Sequence, residues 1–322
     1  MFTANAARRA SHKDMASTRC RRRKGALLSA NKRILTIRLE YQPPYDFPAL
    51  LAFFAKRAIP GVEQVDERSY RRVFVLDGKV GALRVEAIDG ADALALEIVF
   101  PDKELLPQIR ARVRRMFDLD ADIAAINACL GRRAQLKRCI TRHPGQRLPG
   151  GWDGIEIAVR AVLGQQITVA AARTLTERLV RKFGVAVAAP EGGEVYLFPT
   201  PRILADADLG GLGITGARMR TLRAIAQAVS DGRVDFSITQ GLDEFVEQWT
   251  GLPGIGAWTA HYIAMRALSH ADAFPAADIV LRKAVARDGL PVSTQALETM
   301  AKRWRPYRAY AVLHLWRSTM PP

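Results

Sequence analysis

Apolar positions set the frame of the chain. In "RILTIRLEY", Leu35, Ile37 and Leu39 alternate with polar residues, the period-2 signature of a half-buried strand, and "QPPYD" ends it. In "FPALLAFFAKRA", Phe47, Leu50, Leu51 and Phe54 fall at i, i+3, i+4 and i+7, which predicts an amphipathic helix. Phe53 falls off that stripe, so its ring points elsewhere. The segment "YRRVFVLDGKVGALRVEAIDGADALALEIVF" is rich in β-branched residues and broken by Asp77-Gly78 and Asp89-Gly90, which predicts antiparallel hairpins. A helical stripe over 105–117 closes this first unit, and no strand pattern of comparable quality follows it.

From about Ile123 the period is helical throughout. Asp153 is placed to cap "GIEIAVRAVLGQQITVAAARTLTERLVRKFG", an apolar run interrupted at Gly164 and stopped at Gly184. Further helices are expected in "GLGITGARMRTLRAIAQAVSDG", in "LDEFVEQWT", in "AWTAHYIAMRAL" and after Pro306, whose ring suits a first helical turn. The expected fold class is α+β: a small antiparallel-sheet domain over 34–122, then an all-helical body over 123–322, with a tail over 1–33.

Charge changes this picture in two places. The chain carries +16 with a pI near 10.3, which suits a polyanionic partner. Nine of those charges come from the first 33 residues, where ten Lys/Arg face Asp14 alone. That tail reads either as a solvated disordered segment or as a flexible arm with nonspecific phosphate affinity. No apolar run reaches the ~18 residues of a membrane span, and the basic N-terminus lacks an apolar segment behind it. The expected compartment is therefore cytoplasmic. Cys20, Cys129 and Cys139 form no CxxC pair and no four-Cys set, so a zinc or iron-sulfur site is not expected.

"GLPGIG" stands between two amphipathic helices, making a helix-hairpin-helix over about 242–268. Gly254 and Gly256 suit a tight turn and close approach of a ligand. The N–H groups of Gly254, Gly256 and Thr259 would then face outward at a helix start, a ready anion site that grips a phosphate without reading sequence. The plainer reading is an ordinary αα turn. On the second helix, Ala260, Ile263, Ala264 and Ala267 form a small-residue inward face. Trp258 and Tyr262, at i and i+4, leave that face and either wall a nucleobase or face another packing layer. Asp278 precedes an apolar run and reads as a helix cap, or as a carboxylate that stabilises the oxocarbenium ion of a breaking glycosidic bond. Trp316 fits a core stripe with Ala309, Val312 and Leu313.

"LPGIGAWTAHYIAMRA", Asp278 twenty residues after Trp258, and "RWRPYRAYAVLHLW" together resemble the 3-methyladenine DNA glycosylase II family of the helix-hairpin-helix superfamily. "QPPYDF", "FFAKRA", "MFDLD" and "GWDGIEIAVRAVLGQQITVAAARTL" extend the resemblance over Ile34 to Trp316. It implies hydrolytic excision of alkylated purines from double-stranded DNA after base flipping. Asp278 would be the catalytic carboxylate, and Trp258, Tyr262, Trp316 and Phe53 the base pocket. An electron-rich cage suits a cationic alkylpurine, and extruding a damaged base costs less than extruding a paired one. The resemblance also implies a structural monovalent cation, Na+ or K+, on the backbone carbonyls of Thr250, Leu252 and Ile255, with no cofactor for catalysis. Gln166 stands where relatives carry a leucine wedge, and is the expected intercalating plug. Ile279 stands where an aromatic can follow the catalytic Asp.

Relatives that cut the strand attack the sugar with a hairpin Lys. Here that position is Trp258, whose indole nitrogen is no nucleophile, so no lyase step is expected. A fused alkyl-transfer function would need a Cys-rich metal unit, and the tail has only Cys20. A non-catalytic DNA-binding module explains the hairpin and the charge but leaves Asp278 and the off-stripe aromatics without a purpose. The expectation is a monomeric enzyme acting on DNA.

Overall fold

The computed structural model describes residues 34–132, 134–189, 192–286 and 289–319. The basic tail and Cys20 lie outside the described residues. Five strands, β1 (Leu35–Glu40), β2 (Glu63–Val65), β3 (Ser69–Leu76), β4 (Lys79–Ala87) and β5 (Ala93–Val99), form an antiparallel sheet in the order β1-β5-β4-β3-β2. The Asp77-Gly78 turn joins β3 to β4 with both residues at positive φ, 49° and 68°, as a tight hairpin requires. Helices α1 (Phe47–Ala55) and α2 (Leu106–Met116) cover one face of the sheet. Their stripes meet the sheet in a core that includes Leu51, Phe54, Tyr70, Leu96, Val113 and Phe117.

The body is built from α3 (Ile123–Leu130), α4 (Ala134–Arg142), α5 (Gly154–Leu163), α6 (Val169–Phe183), α7 (Pro201–Ala205), α8 (Gly216–Ser230), α9 (Leu242–Thr250), α10 (Ala257–Ala267), α11 (Ile279–Ala284), α12 (Thr294–Ala301) and α13 (Arg308–Ser318). Asp153 caps α5 by accepting the N–H of Ile155 at 2.9 Å. The long apolar run splits where Gly164 marks the C-cap of α5, and Thr168 restarts it by capping α6. Pro306 stands just outside α13, whose cap is Tyr307, rather than in its first turn.

One element escapes the sequence pattern. Strands β6 (Val185–Ala188) and β7 (Glu194–Leu197) pair antiparallel and lay Val187 and Leu197 against Val73 on the open face of the sheet. Gly184 permits this: a Cβ there would lie 2.5 Å from the Val180 carbonyl oxygen and 2.6 Å from that of Leu197.

The sheet unit and the body are tied by buried charge. Arg72 on β3 pairs with Glu156 on α5 at 2.9 Å, and Arg160 on α5 pairs with Glu63 on β2 at 3.0 Å. Glu156 also holds Arg160 at 2.8 Å, so each carboxylate removed from water has a guanidinium partner. Arg147, also buried, donates to the carbonyls of Asp118, Ala121, Gln42 and Pro44, clasping the segments that join the two units. No helix among the described residues is long and apolar enough to cross a membrane.

Candidate active site

The hairpin joins α9 to α10. Phe245 and Trp249 bury the inner face of α9, and Ala260, Ile263, Ala264 and Ala267 bury that of α10. No side chain caps α10, and its first backbone bond runs from Ala260 N–H to the Gly256 carbonyl at 3.0 Å. The N–H groups of its first turn, Thr259 included, are therefore not consumed by the helix. Gly254 sits at φ +81°, and a Cβ there would lie 2.0 Å from Thr221 Oγ1 on α8. Both conformation and space demand glycine. Gly256 differs from the expectation: at φ −93° and ψ 172° its backbone is ordinary, and a Cβ would meet nothing within 4 Å. Its lack of a side chain matters only toward the outside.

Trp258 and Tyr262 stack on one another, 5.4 Å apart and 9° from parallel, because i and i+4 share a helix face. Trp316 on α13 approaches Tyr262 at 6.5 Å and 47°. Its neighbours Ala309, Val312 and Leu313 are buried in the core, but Trp316 itself is only half-buried and turns its indole to Asp278. Asp278 is the helix cap that its sequence position suggested, and it also meets two indoles. As the cap of α11, Oδ1 accepts the N–H of Val280 at 2.9 Å and of Leu281 at 3.0 Å. The same oxygen accepts Trp316 Nε1–H at 3.3 Å, while Oδ2 accepts Trp258 Nε1–H at 3.1 Å. Oδ1 is thus saturated and Oδ2 retains free acceptor capacity. Four donors hold the carboxylate against a stacked aromatic wall, an arrangement that can face a developing positive charge.

Phe53 joins this cluster indirectly. The Arg57 guanidinium lies 3.7 Å over its ring and that of Arg266 lies 4.7 Å away. Arg266 in turn donates to the Tyr262 hydroxyl at 3.0 Å. Sequence reasoning missed these arginines. Each sits four residues after a candidate pocket aromatic, Arg57 after Phe53 and Arg266 after Tyr262, a helical spacing that could have found them. Burial lowers the Arg57 pKa to about 10. Burial alone would raise the Tyr262 phenol, but Arg266, Arg57 and Arg160 together bring it below the ordinary tyrosine value.

Two loops flank the wall. Gln165 reaches from the α5–α6 loop to the Gly254 carbonyl and to Thr259 Oγ1, both at 3.1 Å, and Arg218 on α8 donates to the Gln165 carbonyl. The next residue, Gln166, is exposed with φ +56°. It projects from a loop that its neighbour has fastened to the hairpin. At the end of α9, Thr250 turns its hydroxyl back to the Val246 carbonyl, and the Leu252 carbonyl accepts Ile255 N–H at 3.1 Å.

Comparison with known proteins agrees with this layout. Residues 36–153 match the AlkA N-terminal domain, and residues 159–309 match the HhH-GPD superfamily base excision DNA repair protein model. DNA-3-methyladenine glycosylase 2 of Escherichia coli is 33% identical over 86% of this chain and 95% of its own length. The chain belongs to the HhH-GPD superfamily of base excision DNA repair proteins. A probable bifunctional transcriptional activator/DNA repair enzyme AlkA of Mycobacterium tuberculosis is 37% identical over 91% of this chain, which spans 59% of that relative's length. Among solved structures, the 3-methyladenine DNA-glycosylase from Archaeoglobus fulgidus shares the HhH-GPD fold with a TM-score of 0.77 at 23% identity, covering 87% of this chain and 97% of that one. Within this HhH-GPD chain, Trp258, Tyr262, Trp316 and Asp278 meet directly beside the hairpin, and Phe53 reaches them through Arg266.

Proposed function

We propose that this chain is a monofunctional DNA glycosylase that hydrolyses the N-glycosidic bond of alkylated purines, of the 3-methyladenine and 7-methylguanine type, after flipping the base from the duplex. One observation carries the reading: Asp278, held by the indole N–H groups of Trp258 and Trp316, stands at the edge of a stacked Trp258–Tyr262 wall next to a hairpin with free N–H groups. The names of the E. coli and A. fulgidus relatives point to the same substrate class.

The hairpin N–H groups of Gly254, Gly256 and Thr259 grip a DNA phosphate, and Gln166 fills the space the flipped base leaves. Trp258, Tyr262 and Trp316 wall the base. Alkylation at N3 or N7 makes the purine a cation and a good leaving group, and the aromatic faces favour that charge. As the bond lengthens, the sugar gains oxocarbenium character, which Asp278 Oδ2 offsets while orienting the attacking water. No amine takes part, since the hairpin position that could supply one is Trp258. The carbonyls of Thr250, Leu252 and Ile255 suit a monovalent cation in chemistry: all are neutral oxygen donors, and Thr250 lies where the last carbonyls of α9 have no helical partner. A bound Na+ or K+ would brace the hairpin against the phosphate. The protein acts as a monomer in the cytoplasm, on DNA.

The test is incubation with methylated duplex DNA, with chromatography of released bases and a parallel assay for nicking and for borohydride-trapped adducts. The expected result is free 3-methyladenine and 7-methylguanine, intact strands and no adduct. Asp278→Asn should abolish release while keeping affinity for abasic-site DNA. Equal release by mutant and wild type would refute the assignment of Asp278, and a trapped adduct would refute the hydrolytic mechanism.

A further inference from the structure

The aromatic cage is not empty of charge. The guanidinium of Arg57 lies 3.7 Å over the Phe53 ring, the ring that the base-pocket reading gives to the first domain's side of the cage. Its Nη1 donates to the Phe53 carbonyl at 3.3 Å, and Arg160 donates to the carbonyl of Arg57, so the side chain is seated from both ends of its own turn. Arg266 takes a second place near the same ring at 4.7 Å and lies 5.8 Å from the Tyr262 ring. The recess bounded by Arg57, Glu63, Trp152, Glu156, Arg160 and Arg266 holds only about 10 Å³, room for one water, so the guanidiniums have no depth into which to withdraw.

The charges in this layer do not balance. Arg57, Arg72, Arg160 and Arg266 surround Glu63 and Glu156, and both carboxylates are committed to Arg72 and Arg160. The two guanidiniums left over, those of Arg57 and Arg266, are the ones beside Phe53 and Tyr262. A cation brought against Tyr262 meets them at short range in a partly desolvated place, where repulsion is stronger than in water. A neutral purine meets the opposite situation: guanidinium N–H groups pair with O6 and N7 acceptors on a purine edge.

We infer that Arg57 is a specificity-determining residue, a resident cation on the Phe53 face of the cage that shifts selection from positively charged alkylpurines toward neutral purines presenting acceptor atoms at O6 and N7. This rests on the glycosylase reading of the site and deepens it. Trp258, Tyr262 and Trp316 supply attraction for any flattened base, Asp278 acts on the sugar, and Arg57 sets the balance among bases.

The experiment measures single-turnover release from two duplexes that differ only in the target base, hypoxanthine as the neutral 6-oxopurine and 7-methylguanine as the cation. Arg57→Met keeps a flexible apolar stem on Phe53 without the charge, and Arg57→Lys keeps a charge. The ratio of 7-methylguanine to hypoxanthine release should rise tenfold or more in Arg57→Met and stay within threefold of wild type in Arg57→Lys. Because both rates come from one preparation, partial unfolding of a variant scales both and leaves the ratio intact. An unchanged ratio in Arg57→Met, or a wild-type chain that releases 7-methylguanine alone, overturns the role of Arg57 and leaves the glycosylase reading standing. Release of neither base by the wild-type chain sinks both.

Discussion

Trp258 donates its indole N–H to Oδ2 of Asp278 at 3.1 Å. Trp258 is therefore more than a missing nucleophile: it orients the carboxylate that the proposed mechanism sets against the sugar. Trp258→Phe keeps a ring to stack on Tyr262 and removes the donor. A hydrogen bond to a charged group contributes about 1.5–3 kcal/mol, so the rate of base release should fall roughly 10- to 100-fold. Affinity for abasic-site DNA should change little, since the hairpin N–H groups proposed to hold a phosphate are untouched. Single-turnover kinetics and fluorescence anisotropy read the two quantities. A parallel loss in both would assign Trp258 to binding instead.

The two hairpin glycines separate fold from ligand. Gly254→Ala forces a left-handed residue and a contact 2.0 Å from Thr221 Oγ1, so it should destabilise the fold by several kcal/mol or displace α8 from the hairpin. Gly256→Ala adds a methyl where nothing lies within 4 Å, so its urea midpoint should match wild type. If the open space is where a phosphate approaches, DNA affinity should nevertheless drop, and the drop should shrink at high salt as the phosphate contribution is screened. Normal affinity in Gly256→Ala would place the phosphate elsewhere.

Much of this site was legible in the sequence because it is local or repeats a helical period. Trp258, Tyr262 and the hairpin lie within eleven residues, and the small-residue face of α10 fixes by elimination where the aromatics point. What was hidden depends on distant segments. Strands β6 and β7 are four residues each, too short to show a period, and they hold because Val187 and Leu197 find Val73 more than a hundred residues earlier in the chain. The cap at Asp278 was legible because its donors lie two and three residues on, but its indole donors were not, because they come from α10 and α13. Gly256 looked conformationally special by analogy with Gly254, and only the backbone angles part them.

Asp118 predicts a pH dependence of stability. Burial raises its carboxyl to about 7, against the opposing pull of the Leu148 N–H, the Tyr310 hydroxyl and Arg147. An unfolded Asp titrates near ~3.9, so the folded state holds the proton more tightly over the interval between. Stability from this group is greatest below the unfolded value, declines as pH rises toward about 7 and is level above it. Asp118→Asn keeps an acceptor for Leu148 and removes the titration. Urea midpoints measured from pH 5 to 8 should fall with pH in wild type, and the slope should flatten in the variant. Identical slopes would show that Asp118 is not the titrating group.

Gln166 combines exposure with φ +56°, a conformation that costs a side-chain-bearing residue about 1–2 kcal/mol. The loop that imposes it is fastened by Gln165 to Gly254 and Thr259 and by Arg218 on α8, so the strain is held by contacts that leave the Gln166 side chain free. Gln166→Gly relieves the backbone but gives up side-chain restriction of the unfolded chain, and the two effects nearly offset, leaving stability within about 1 kcal/mol of wild type. Excision should respond differently. Without a side chain to fill the vacated stack, a flipped base returns more readily, and the single-turnover rate should fall at least tenfold on a paired lesion. In DNA where the lesion lies in a single-stranded stretch there is no stack to refill, so the same variant should lose little. Equal losses on both substrates would remove Gln166 from the flipping step and leave the loop a purely structural strap between α5 and α6.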